Sequence, residues 1–156
     1  MNELLENNPI DPLQDLHQKF TTRTDEITAL VARITTQSLA QIEQVMRGID
    51  NEVHIVKTAH DATFYLHVRR HGELPFADIA WALAQARRAG ALVPEVLFCE
   101  PVWLDGAERE VMIQTAILGR PLQDLLAELN DEQLRHCYQQ AMPMLAMIHR
   151  IPVAGY

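Results

Sequence analysis

Lysine is nearly missing from this sequence. Lys19 and Lys57 are the only two, and the other eleven cations are arginines. Cysteine is as scarce: Cys99 and Cys137 lie far apart and in no CxxC pattern, which makes a disulfide framework and a zinc cluster both poor expectations. No apolar run reaches the ~18–20 residues a membrane span requires. Excess positive charge is lacking too. Lys plus Arg number 13 against 21 Asp plus Glu, for a net charge of −8, so no basic face is expected for nucleic acid or an anionic membrane. The opening stretch MNELLENNPIDP carries acids where a signal peptide carries a basic segment, so a cytoplasmic protein is expected.

What is present is ordinary globular material. Apolar residues make up 48% and charged residues 22% of 156 positions, enough for one compact domain or one lobe of a larger protein. Residues 1–24 hold Pro9, Pro12 and a short apolar set (Leu13, Leu16, Phe20), and read as an arm with one short helix. From Asp25 onward the stripe Ile27, Leu30, Val31 and Ile34 predicts an amphipathic helix, with Asp25 and Glu26 in its first turn where the helix dipole favours anions.

Three strand-like runs follow, at Leu39–Arg47, Glu52–Thr58 and Thr63–Arg70. In the third, Phe64, Leu66 and Val68 alternate with Tyr65, His67 and Arg69. The short connections predict antiparallel hairpins. Pro75 opens an alanine-rich helix, and Gly90 stands where a left-handed C-terminal glycine belongs. Val96–Cys99 and Glu110–Leu118 read as strands around an Asp105-Gly106 turn. Pro121 precedes a short helix, Leu122–Leu129, and Asn130 with Gln133 forms a capping box opening the last helix, which Pro143 should kink. The expected fold class is α+β: a five-stranded antiparallel sheet with packed helices.

Four segments in this order resemble the N-terminal lobe of the aminoglycoside phosphotransferase and choline-kinase-like branch of the kinase fold. Arg47-Gly48-Ile49-Asp50-Asn51-Glu52-Val53 resembles its phosphate loop, and Phe64–Arg69 its third strand. Ala86–Leu97 is similar to its helix-to-strand joint. Ile113–Leu122, with its Gly119-Arg120-Pro121-Leu122 ending, is similar to its hinge. The resemblance implies a division into the arm 1–24, a nucleotide-binding lobe at 25–118, and a hinge with interlobe helices at 119–156. It also implies ATP as cofactor, held by Gly48, Asn51, Tyr65, His67, Thr115 and Ile117, with Mg only where a second lobe supplies metal carboxylates.

The chemistry of these residues is uneven. His67 stands where the family carries Lys or Arg, and Ile79 where it carries the glutamate that orients that cation. Histidine is mostly neutral near pH 7, and an apolar side chain orients nothing, so tight ATP binding is weakened. His67 is either a nucleotide contact or a half-exposed strand histidine. Tyr65 either stacks on a base or fills the adenine site. His54, His60, His67 and His71 bracket one hairpin, but no acidic or cysteine partner has metal-ligand spacing. His149-Arg150 is followed by Ile151 where a catalytic loop needs Asp, and no Asp-Phe-Gly occurs, so no catalytic residue is assigned. Two functions follow: a nucleotide-binding lobe incomplete for phosphoryl transfer by itself, or a non-catalytic binding or regulatory module. The implied partners are a nucleotide, and either a second lobe or a second copy docked through residues 131–151.

Overall fold

The protein is described by a computed structural model covering residues 19–20, 22–46, 50–72 and 74–152. The elements in chain order are α1 (Thr24–Thr35), β1 (Leu39–Val45), β2 (Asn51–Thr58), β3 (Thr63–Arg69), α2 (Phe76–Arg88), β4 (Val96–Leu104), β5 (Ala107–Thr115), α3 (Leu122–Leu125) and α4 (Asp131–Ile148). The fold is α+β, with one five-stranded sheet ordered β1-β2-β3-β5-β4 and every neighbouring pair antiparallel. No helix among the described residues is long and apolar enough to cross a membrane.

Alternation explains how the sheet divides its two faces. Registers pair Val56 with Phe64, Leu66 with Ile113, and Val68 with Val111. These side chains share one face and are buried there against Ile27, Leu30 and Val31 of α1, forming the core with Leu104. Five of them, Val56, Leu66, Val68, Val111 and Ile113, are completely enclosed. Each contributes about 1.5–3 kcal/mol of burial. The intervening residues Tyr65, His67, Arg69, Met112 and Gln114 point to the opposite face, where Phe76 of α2 is buried.

The punctuation residues act as their chemistry requires. Asp105 and Gly106 both have positive φ (52° and 73°) and join Leu104 to Ala107, the two-residue turn whose twist matches a hairpin. Gly90 adopts φ 90° at the end of α2. Asn130 Oδ1 accepts from the Gln133 N–H at 2.9 Å, while the Asn130 N–H donates to Gln133 Oε1 at 3.0 Å, completing the capping box.

Several boundaries differ from expectation, those of β2 and β3 by a single residue. β1 ends at Val45, and residue 47 lies outside the described residues. β4 runs on to Leu104 instead of stopping at Cys99. It tolerates Pro101 because it is an edge strand, where a missing N–H leaves no ladder bond unmade. β5 is shifted toward the turn and ends at Thr115 instead of Leu118, because its register is set by the Asp105-Gly106 turn. α3 ends at Leu125, four residues short of Leu129. α4 continues through Pro143 as one helix. Within the expected arm, Leu13 and Leu16 lie outside the described residues, while Phe20 is buried.

Candidate functional site

The face that the resemblance assigns to a nucleotide is built on β3 and β5. Tyr65 is the cross-strand partner of Gln114, and His67 that of Met112. Tyr65 and His67 follow each other along the strand with ring centroids 6.5 Å apart. Phe76, entering α2, sets its ring edge-on to His67 at 6.2 Å. The Gln114 amide donates from Nε2 to His67 Nε2 at 3.1 Å. As an acceptor that nitrogen is unprotonated, so the ring proton sits on Nδ1. Burial pushes His67 down to about 4. The imidazole is therefore neutral at pH 7, and no charge at this position faces an anion.

The other named residues are placed as follows. Gly48 lies outside the described residues. Asn51 opens β2, half-buried, and pairs with Arg69. Thr115 ends β5 with both polar ends occupied: its N–H donates to the Glu95 carbonyl at 2.9 Å, and its hydroxyl accepts the Glu95 N–H at 2.9 Å. The next N–H, of Ala116, donates to the Thr63 carbonyl at 3.1 Å. Ile117 follows, exposed. The structure thus gathers Tyr65 and His67 with Gln114 on one half-buried face, whereas Thr115, in register with the core residue Phe64, falls on the opposite parity and Ile117 lies beyond the end of β5. Ile79 lies half-buried on α2, and no carboxylate from that helix bonds His67.

Arg69 and Arg70, the arginines that could replace the charge missing at His67, are both engaged in ion pairs, one on this face and one across the sheet. Arg69 Nη1 donates to Glu110 Oε2 at 2.8 Å, and its Nη2 to the Gly72 carbonyl at 2.7 Å. Glu110 also accepts the Phe76 N–H at 3.2 Å. The bond from Arg69 holds the Glu110 carboxyl below the usual carboxylate range. This clip fastens the β3–α2 connection onto β5. The second group lies across the sheet, at its α1 face. Glu52 is fully enclosed. It accepts from Arg70 Nε at 2.9 Å, from the Thr22 hydroxyl at 2.8 Å, and shares a 2.8 Å bond with His54. Arg70 reaches on to Asp105 at 2.6 Å, and its guanidinium lies 5.9 Å from the Phe20 ring centroid. Burial pushes the Glu52 carboxyl up, but the bonds from His54, Arg70 and Thr22 prevail and hold it at about 2. The parity of Glu52, His54, Val56 and Thr58 on one strand was the available signal for this network, since all four must share the inward face.

No family model matches this sequence, and no curated protein matches it. Among solved structures, a candidate fructosamine-3-kinase from Thermobifida fusca YX-ER1 aligns over 64% of this chain and 33% of its own, at 16% identity and a TM-score of 0.46. The chain spans about a third of the length of that structure.

Among the described residues, no group of three His, Cys, Asp or Glu side chains is placed to hold a metal ion. Burial raises the Cys99 thiol above its usual range, which leaves it an inert, half-buried apolar group at neutral pH.

Proposed function

We propose that this chain is the nucleotide-covering lobe of a kinase-fold small-molecule phosphotransferase of the aminoglycoside phosphotransferase and choline-kinase-like branch, incomplete for phosphoryl transfer by itself. The observation that carries the reading is connectivity. A three-stranded meander is followed by α2, then by a β4–β5 hairpin that inserts β5 beside β3, so that the chain leaves the sheet beside Thr63 and Phe64, at the Tyr65 end of β3, and passes through residues 116–121 into helices. In this reading Tyr65 stacks on a base and the backbone around Ile117 pairs with its edge. The general base and metal carboxylates come from a second lobe.

A specific observation favours the non-catalytic alternative. His67, in the cation's position, is neutral and bonded to Gln114, and Ile79 stands in place of the orienting acid. A lobe of this kind gains little from a triphosphate. Titration calorimetry with adenosine and with Mg-ATP separates the two. In the nucleotide-lobe reading both ligands bind, with dissociation constants within about threefold, or ~0.7 kcal/mol, because the base supplies the affinity. Binding of neither ligand refutes that reading and leaves the non-catalytic module.

A further inference from the structure

The last helix carries a surface that its own lobe leaves uncovered. α4 spans 18 residues with no buried side chain, a length of about 27 Å at 1.5 Å per residue. Met147 lies 3.7 Å from the point where a Cβ on Gly90 would stand, so that side of α4 faces the C-terminal end of α2. Tyr138 is nine residues earlier, about two and a half turns, and so points the opposite way. It is 55% exposed, with Met142 at 60% and Leu145 at 46% along the same stripe. Asp131 and Arg135 extend that stripe at one end and His149 at the other.

The spacing 131, 135, 138, 142, 145, 149 alternates four and three, which is the seam of a two-stranded coiled coil. Its chemistry is polar at the ends and apolar in the middle, with the acid and the histidine at opposite ends. Parallel pairing of two such seams would set Asp131 on Asp131 and Arg135 on Arg135. Antiparallel pairing instead sets Asp131 on His149, lays the Arg135 stem over Leu145, and places the Met142 sulfur on the Tyr138 ring, a favourable pair. The stripe is therefore complementary to itself in one direction only.

We propose that α4 is a self-association surface: two copies of this chain pair α4 against α4, antiparallel about a two-fold axis near residue 140. A pair of helices of this length makes an interface at the small end of specific ones, so the dimer forms reversibly with rising concentration. The pairing does not depend on nucleotide.

Sedimentation velocity of the full chain, run from micromolar to near-millimolar concentration, tests it. The mass rises from 17.7 kDa toward twice that value. Met142→Glu, at an exposed position that leaves the circular dichroism and melting temperature unchanged, holds the chain at the single mass. Asp131→Arg weakens association by about tenfold, and adding His149→Asp restores it. A single-chain mass at every concentration overturns the proposal and assigns the stripe to another polypeptide. A dimer that Met142→Glu leaves intact overturns it as well, and failure of His149→Asp to restore Asp131→Arg overturns the antiparallel register.

Discussion

Replacing Arg70 with methionine removes the cation that bonds an enclosed pair of acids, Glu52 and Asp105. In the native lobe its guanidinium bonds Glu52, Asp105 and Thr22, and its side chain is only 8% exposed. Methionine keeps much of the volume and supplies no donor. Glu52, with no exposed surface, then retains the Thr22 hydroxyl and His54 but loses its counter-charge. Breaking a buried pair from one side costs about 3–5 kcal/mol, chiefly because the remaining charge is left unpaired. Urea unfolding followed by tryptophan fluorescence reads this directly. With a slope of about 1.5 kcal/mol per M, the midpoint falls by ~2–3 M. Two further measurements fix the cause. In the double variant with Glu52→Gln the loss is smaller than the sum of the single losses, with a coupling energy of about 1–3 kcal/mol. The gap between Arg70→Met and wild type also narrows as the pH falls from 4.5 toward 2, because protonation of Glu52 removes the charge that made the vacancy costly. A midpoint shift below about 0.5 M, or single-variant losses that add fully in the double variant, would refute the claim that this network holds the end of the sheet together.

Acid stability carries two separable components. His67 has a folded value of about 4, depressed from 6.5, so the unfolded chain binds the extra proton and stability falls by up to ~3 kcal/mol as pH drops from 6.5 to 4. Glu52 has a folded value of about 2, depressed from 4.5, so its contribution is present above 4.5 and is lost between 4.5 and 2. His67→Phe should flatten the upper segment in pH-dependent denaturation and leave the lower one, and an unchanged upper slope would contradict the neutral, half-buried imidazole. Asn130→Ala removes the cap acceptor of α4 and should lower helix stability by about 1 kcal/mol, visible as reduced ellipticity at raised temperature. No change there would mean that α4 is held by its packing and not by its cap.

Much of the fold could be read from local chemistry because each element announces itself by period or by punctuation. The alternation in Phe64–Arg69 and the Asp105-Gly106 pair each has one dominant physical solution, as do Gly90 and the Asn130–Gln133 box. β4 defeated this reading because a proline inside an apolar run normally ends a strand, and only the strand's position at the sheet edge, a tertiary fact, makes Pro101 harmless. The candidate site was less legible. That Tyr65, His67 and Arg69 share a face follows from parity, but that His67 finds Gln114 depends on the β3–β5 register, and β5 is 49 residues away in sequence from β3 at the Leu66–Ile113 pairing's neighbour Tyr65–Gln114. The Glu52–Arg70–Asp105 network needed three segments brought to one end of the sheet, and no spacing rule connects them.

The distribution of charge between the two faces decides how the lobe can act. An anion site requires cations whose donors are available to the ligand. On the α2 face Arg69 lies in register with Asn51 at the start of β2, and its guanidinium is engaged by Glu110 and by the Gly72 carbonyl. Lys57 stands at the opposite end of β2, paired in register with Thr63. Arg70, the next residue after Arg69, is turned to the α1 face and enclosed with two acids. Arg69 and Arg70 are thus committed to fastening the lobe's own connections, and the described face around Tyr65 and Gln114 is left neutral and aromatic. Such a face suits the flat ring of a base better than a chain of phosphates, which is why adenosine and Mg-ATP should bind alike if either binds.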